Sequence, residues 1–199
     1  MKYRYEDCAV IGLNDGSVMV GAQIASRLHC PINMLLTEPI RLQGEHDVLA
    51  EVDQNGDVTY QEMYSGELED IKAENFSYIE GQKLEKMYEM ERLLGQGGVI
   101  SPRLLQGRHI IIVSDGLISG LSMRAAAEYL KPISTKKLVM VTPFASVRAV
   151  DLMHVMADEI VCLNVLEDII SIDHYYEDNT MPPHEKIVQI LEDIVLNWK

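Results

Sequence analysis

The sequence predicts an α/β fold, a doubly wound and mostly parallel sheet flanked by helices. Three observations carry this. Short apolar runs recur along the chain at Cys8–Leu13, Ile32–Leu36, Ile110–Val113, Leu138–Val141 and Glu159–Leu163. Runs of that length, apolar on both faces, suit strands buried inside a parallel sheet. Polar turns and stretches of helical periodicity separate them, and the first strand, helix and strand fit a βαβ unit with a right-handed crossover. At 199 residues, 47% hydrophobic and 24% charged, the chain suits one domain, 1–199, with a substantial core.

Taken in order, Cys8–Leu13 is the first strand, and Asn14-Asp15-Gly16-Ser17 turns the chain, with Ser17 placed to cap a helix. Val18, Ala22, Ala25 and Leu28 form the apolar face of that helix, which ends near His29. Ile32–Leu36 is the second strand. Between about 38 and 66 the pattern changes to Val48–Val52 and Val58–Tyr60 around Asn55-Gly56, an inserted β-hairpin outside the main sheet. The acidic Glu67-Leu68-Glu69-Asp70 reads as a solvated helix start. A helix over Ile79–Leu94 presents Leu84, Met87, Tyr88, Glu91 and Leu94 along one side, as core or subunit interface, before Gly95-Gln96-Gly97-Gly98 ends it.

His109–Leu130 is the stretch around which the chain is organised. Ile110–Val113 reads as a buried strand, Ser114 to Ser122 as a polar turn, and Met123, Ala126, Ala127 and Leu130 as one face of a helix closed by Lys131-Pro132. A strand at Leu138–Val141 follows, then a helix over 146–156 with Val147, Val150 and His154 on one face. Glu159–Leu163 and Ile169–Ile172 read as two short strands, and Pro182-Pro183 opens a last helix facing inward through Ile187, Ile190, Leu191 and Ile194.

Charge and composition narrow the function classes. A net charge of −14 argues against non-specific binding to nucleic acid or to an anionic membrane. No run approaches the roughly 20 apolar residues of a membrane span, and the N-terminus lacks the apolar core of a signal peptide. Cys8, Cys30 and Cys162 suggest no disulfide framework, which favours a reducing cytoplasm. The six histidines show no metal-ligand spacing, and there is neither a nucleophile elbow nor a P-loop lysine motif.

A strand feeding a Gly/Ser turn that opens a helix leaves backbone N–H groups and a positive helix end free for a phosphate. The same residues serve equally as a plain structural junction. VSDGLISGLS, Val113–Ser122, resembles the ribose-5-phosphate loop of type I phosphoribosyltransferases, which use phosphoribosyl pyrophosphate (PRPP). The resemblance runs from about Ala9 to Asp178 and is closest to bacterial members with a DDG-type loop, whose later segments look like ADEIVCLNVLEDIISIDHYYED, Ala157–Asp178.

That resemblance implies a 5-phosphate cradle at Ser119, Gly120, Leu121 and Ser122 and a ribose contact at Ser114 and Asp115. It implies a pyrophosphate turn at Asn14, Asp15, Gly16 and Ser17, a hood formed by the inserted hairpin, Mg²⁺ as a cofactor reached through Asp115, and a homodimer. The implied partner is a phosphorylated ribose small molecule. The departures fall at the chemistry. Ser114 replaces one of two acids, so Asp115 is the one candidate catalytic carboxylate; its alternative is a simple Asx-turn bond. Leu121 stands where the bacterial group has a small residue, and Ile118 where purine-specific members carry a suspected general base. Arginine is missing from Asn14–Ser17, a basic pair is replaced by Thr37-Glu38, and a Tyr-Arg-Gly-Gly segment corresponds to Gly95–Gly98. Only Arg41, Arg92 or Arg103 is then left to compensate.

Three functions stay open. The first is a family member that binds a 5-phosphoribosyl group, from PRPP or a nucleoside monophosphate, with transfer weakened or lost. The second is an active Mg²⁺-dependent transferase acting on a nitrogenous base. The third is a non-catalytic regulatory or interaction scaffold.

Overall fold

The computed structural model describes residues 2–45, 47–63, 66–94 and 100–194. Strands and helices are numbered in chain order. The main sheet is entirely parallel, in the order β2-β1-β6-β7-β8, built from β1 (Cys8–Gly12), β2 (Ile32–Met34), β6 (His109–Val113), β7 (Lys137–Ser146) and β8 (Glu159–Leu166). Every residue of β1 is buried, as its unbroken apolar run requires. Helices cover both faces. On one side α1 (Asp15–Leu28) and α6 (His184–Asp193) close over Val10, Ile111, Val113 and Val139; on the other, α4 (Leu121–Leu130) and α5 (Val147–Met156) close over Ile11, Ile112 and Met140. This is the doubly wound arrangement that the alternating pattern predicts. Among the described residues no helix is long and apolar enough to cross a membrane.

The direction of winding reverses between β1 and β6. From β1 the chain steps outward to β2 on one side, whereas β6, β7 and β8 follow one another on the other. Ligands in open α/β sheets lie outside the carboxyl ends of the strands at such a switch point. Gly12 pairs in register with Val113, so the turns leaving β1 and β6 begin at the same height, side by side.

The insertion carries one strand more than the predicted hairpin. β3 (Thr37–Arg41), β4 (Val48–Asp53) and β5 (Val58–Tyr60) form a separate antiparallel sheet in the order β3-β4-β5. Pro39 obscures β3 in the sequence, and its edge position is where a strand tolerates proline. Between β4 and β5, Gly56 adopts φ 85°, while the Asp53 carboxylate accepts the N–H groups of Asn55 and Asp57 at 2.8 and 3.0 Å. The small sheet packs against α4 and against α3 (Phe76–Leu94), with α2 (Glu67–Glu74) alongside α3.

Several expectations are corrected. Asn14, not Ser17, caps α1: its side chain accepts the Ser17 N–H at 2.7 Å. On α3 the buried residues are Ile79 and Met90, whereas Leu84 is 65% and Tyr88 71% exposed, so that stripe is not core, which leaves the subunit-interface alternative; the small sheet covers a different stripe of a helix apolar on two sides. On α5 the inward residues are Ala149 and Met153, leaving Val147 and His154 outside. β8 runs on to Leu166, and Ile169–Ile172 forms no strand; a 3₁₀ turn spans Ile172–Tyr175 instead. Gly95–Gly98 lies outside the described residues.

Candidate functional site

At the switch point the two turns are in direct contact. Asn14 has extended backbone, and its Oδ1 accepts from both the N–H and the Oγ of Ser17, each at 2.7 Å. Its Nδ2 donates to Asp115 Oδ1 at 3.3 Å, and Ser17 Oγ lies at the same 3.3 Å from that oxygen. The single Ser17 hydroxyl proton is shared between these two acceptors, with the shorter bond to Asn14. The carboxylate reaches so far into the turn that a Cβ on Gly16 would lie 2.2 Å from Asp115 Oδ2. A side chain at 16 would therefore force the Asp115 carboxylate to move. Burial holds the Asp115 carboxyl above the usual carboxylate range; bonds from the backbone, Asn14 and Ser17 oppose this, and Asp173 adds to it.

Tyr176 secures the loop from the far side, its hydroxyl donating to the Asp115 carbonyl at 2.6 Å. Its ring packs on Phe144, whose own ring closes over Gly116. Burial pushes the Tyr176 phenol up to about 12, so it remains a proton donor at neutral pH. A cavity of about 140 Å³ lies here, lined among others by Gly16, Met19, Asp115, Asp173 and Tyr176. Ser114 does not face it. Its hydroxyl donates to the Gly116 carbonyl at 2.9 Å and accepts the Gly116 N–H at 3.3 Å, which closes it into the loop.

The cation that the structure places on the first turn is a histidine. His184 Nδ1 lies 2.9 Å from Asp15 Oδ1, and Nε2 lies 2.9 Å from the Leu93 carbonyl oxygen at the end of α3. Both partners are acceptors, so both ring nitrogens must donate, and only imidazolium does this. Burial lowers the His184 pKa, but the bonds to Asp15 and Leu93, with the Asp15 and Glu185 charges, outweigh it and hold the value above the ordinary one.

The second part of the site is the start of α4. Gly120 has φ 76° and packs close to α5, where an added Cβ would lie 3.1 Å from the Ala149 Cα. Glycine is needed there on both counts. As N-cap of α4, Gly120 has no side chain to accept from the first turn. Ser119 Oγ accepts the Leu121 N–H at 3.3 Å, and Leu121, its side chain buried, lies in the wall of the adjoining cavity. Beside Ser119 a cavity of about 740 Å³ opens, lined by Arg124, Arg148, Gln61, Glu62 and Asp151 among others.

The structure thus brings Asn14, Asp15, Gly16 and Ser17 together with Asp115 and places Ser119–Ser122 at the next helix start. It does not bring Thr37-Glu38 to these turns: both lie in β3, where the Glu38 carboxylate faces Lys86 at 3.9 Å. Arg41, Arg92 and Arg103 line neither cavity. Tyr176, His184, Arg124 and Arg148 are missed by sequence reasoning: Tyr176 lies within the Ala157–Asp178 segment but carries no role there, and the other three fall in no motif. Among the described residues no three His, Cys or carboxylate side chains stand together for a metal, so Mg²⁺ would have to be held by Asp115 together with the phosphates of a bound ligand.

The chain and its fold are similar to those of known proteins. A Mycobacterium tuberculosis protein, provisionally named a phosphoribosyl transferase, is 23% identical over 185 residues, 92% of this chain and 41% of that protein. The chain therefore spans about two fifths of the length of that relative. The solved structure of TT1426 from Thermus thermophilus is 25% identical, covers 97% of this chain and 88% of its own, and superposes with a TM-score of 0.69. With the family model of the phosphoribosyl transferase domain matched over residues 1–179, the chain belongs to the phosphoribosyl transferase family.

Proposed function

We propose that this chain binds a 5-phosphorylated ribose, as in a nucleoside monophosphate, and that its capacity to transfer the phosphoribosyl group with release of pyrophosphate is lost or nearly so. One observation carries the reading: the turn that should receive pyrophosphate already holds the Asp115 carboxylate, in contact with Gly16. At about 5 Å and an effective dielectric near 20, each added anionic charge meets roughly 3 kcal/mol of repulsion from an ionised carboxylate. The His184 imidazolium offsets Asp15, not Asp115. The start of α4, whose N-cap Gly120 supplies no side-chain acceptor, supports retention of a single phosphate. The proposed setting is the cytoplasm, which the free thiols of Cys8, Cys30 and Cys162 suit.

Calorimetric titration tests this. Ribose 5-phosphate and a nucleoside monophosphate are expected to bind, pyrophosphate is not, and Mg²⁺·PRPP should bind no tighter than ribose 5-phosphate. Asp115→Asn should admit pyrophosphate, with affinity raised by at least about tenfold. Release of pyrophosphate from PRPP on adding a purine or pyrimidine base would refute the loss of transfer. Absence of binding by every phosphorylated ribose would refute the reading altogether and leave a scaffold.

A further inference from the structure

Two arginines stand against helix electrostatics beside Ser119. Arg124 lies in the first turn of α4 and Arg148 in the first turn of α5. Helix starts carry a partial positive charge, so a cation there is disfavoured, and neither first turn holds an acid to offset it. Both side chains nevertheless line the same cavity as Ser119. An anion seated among them would turn this conflict into attraction.

The chain supplies weak substitutes for that anion from the two residues that follow β5. Glu62 Oε1 lies 3.0 Å from Arg124 Nη1. Gln61, with its amide nitrogen donating to the Val48 carbonyl at 2.6 Å, presents its carbonyl oxygen to the Arg148 guanidinium. The Glu62 side chain is 76% exposed. Such an ion pair contributes only about 0–1 kcal/mol, and an amide oxygen is a neutral acceptor. A phosphate dianion accepts from a guanidinium through short charge-assisted bonds, often two at once. It should displace both.

We propose that Arg124 and Arg148 bind the phosphomonoester of the ligand above the Ser119–Ser122 turn, and that Gln61 and Glu62 hold them in its absence. This rests on the phosphorylated-ribose reading above and adds how the phosphate is gripped and what gates it. Binding frees residues 61 and 62, and so loosens the end of β5, which is tied to β4 by the Gln61 N–H on the Leu49 carbonyl at 2.9 Å. The phosphate site is thereby linked to the small antiparallel sheet. Glu128, Asp151 and Glu167 also line the cavity, so it suits one phosphate better than a polyphosphate.

Ribose 5-phosphate, with ribose as control, is titrated into the full chain and into Arg124→Gln, Arg148→Gln and Glu62→Gln, after circular dichroism confirms folding. Each arginine variant is expected to weaken binding by at least about tenfold, and Glu62→Gln, which removes the competitor, to tighten it several-fold. The apo melting temperature of both arginine variants should hold or rise, because a cation leaves a helix start; a purely structural role would lower it. Parent-like affinity in both arginine variants, or weaker binding by Glu62→Gln, overturns the proposal while leaving the underlying reading intact. If the parent itself binds neither ribose 5-phosphate nor inorganic phosphate, that reading falls and this proposal with it.

Discussion

Glu51 gives the sharpest quantitative prediction, because its cost is set by burial. It lies on β4, opposite Pro39 of β3 and Thr59 of β5, and is 8% exposed. Thr37 hydrogen-bonds its carboxylate, Arg41 favours its charge, and Glu38 opposes it, but Oε2 has no hydrogen-bond partner. Burial dominates and pushes the carboxyl from 4.5 up to about 7. The folded chain therefore holds this proton more tightly than the unfolded one. Its contribution is fully present below about 4.5 and is lost as pH rises through about 7. At about 1.4 kcal/mol per pH unit, the loss is about 3 kcal/mol.

Glu51→Gln keeps the shape and removes the charge. Parent and variant should show the same stability near pH 4.5 and diverge as pH rises, the variant ending about 3 kcal/mol more stable at pH 8. About 2 kcal/mol of that should develop between pH 5.5 and 8, a window clear of acid unfolding. Urea unfolding at four pH values, read by circular dichroism, measures it, and taking the difference cancels every other titrating group shared by the two proteins. A difference that stays flat with pH would refute the reasoning. It would mean that the carboxylate finds water or a cation that burial alone does not predict.

Two further outcomes follow from the switch-point turns. Gly16→Ala forces Asp115 out of the turn and should cost about 1–2 kcal/mol in urea unfolding, yet be neutral or stabilising in an Asp115→Ala background, since the helix then gains alanine at no steric cost. His184→Gln cannot donate to Asp15 and Leu93 together. It should cost about 1 kcal/mol at pH 6, and because the parent's histidine pKa is raised, that deficit should shrink as pH rises through the folded value; a deficit independent of pH would exclude the imidazolium.

How much of this was legible depends on how local each feature is. The strands could be read because a parallel sheet needs apolar residues on both faces, as β1 and Ile110–Val113 have. The glycines at 16 and 120 sit in recognisable turns, although what each must avoid, the Asp115 carboxylate and the Ala149 backbone, was not readable. Asn14 and Ser17 are both good capping residues three positions apart, and only the extended backbone at Asn14 decides between them. Leu84 and Tyr88 are not core, because helical periodicity reports an apolar stripe and not what covers it. His184 and Tyr176 act 169 and 61 residues away from their partners, beyond any local pattern.

The acid in the turn changes the form of the electrostatic argument. Sequence reading infers weak pyrophosphate binding from cations that are missing, and missing cations can be replaced from elsewhere in a fold. His184 shows such a replacement, yet its charge is spent on Asp15 and the Leu93 carbonyl. What replacement cannot undo is occupancy. The turn leaving β1 and the turn leaving β6 satisfy each other through Asn14 and Asp115, with Tyr176 fixing the second turn by its backbone. An incoming pyrophosphate would have to break that contact as well as overcome the repulsion. A lone phosphate at the start of α4 would displace only an exposed carboxylate and a neutral amide. The proposed pyrophosphate turn and the proposed phosphate cradle are thus separated by the strength of what already fills them.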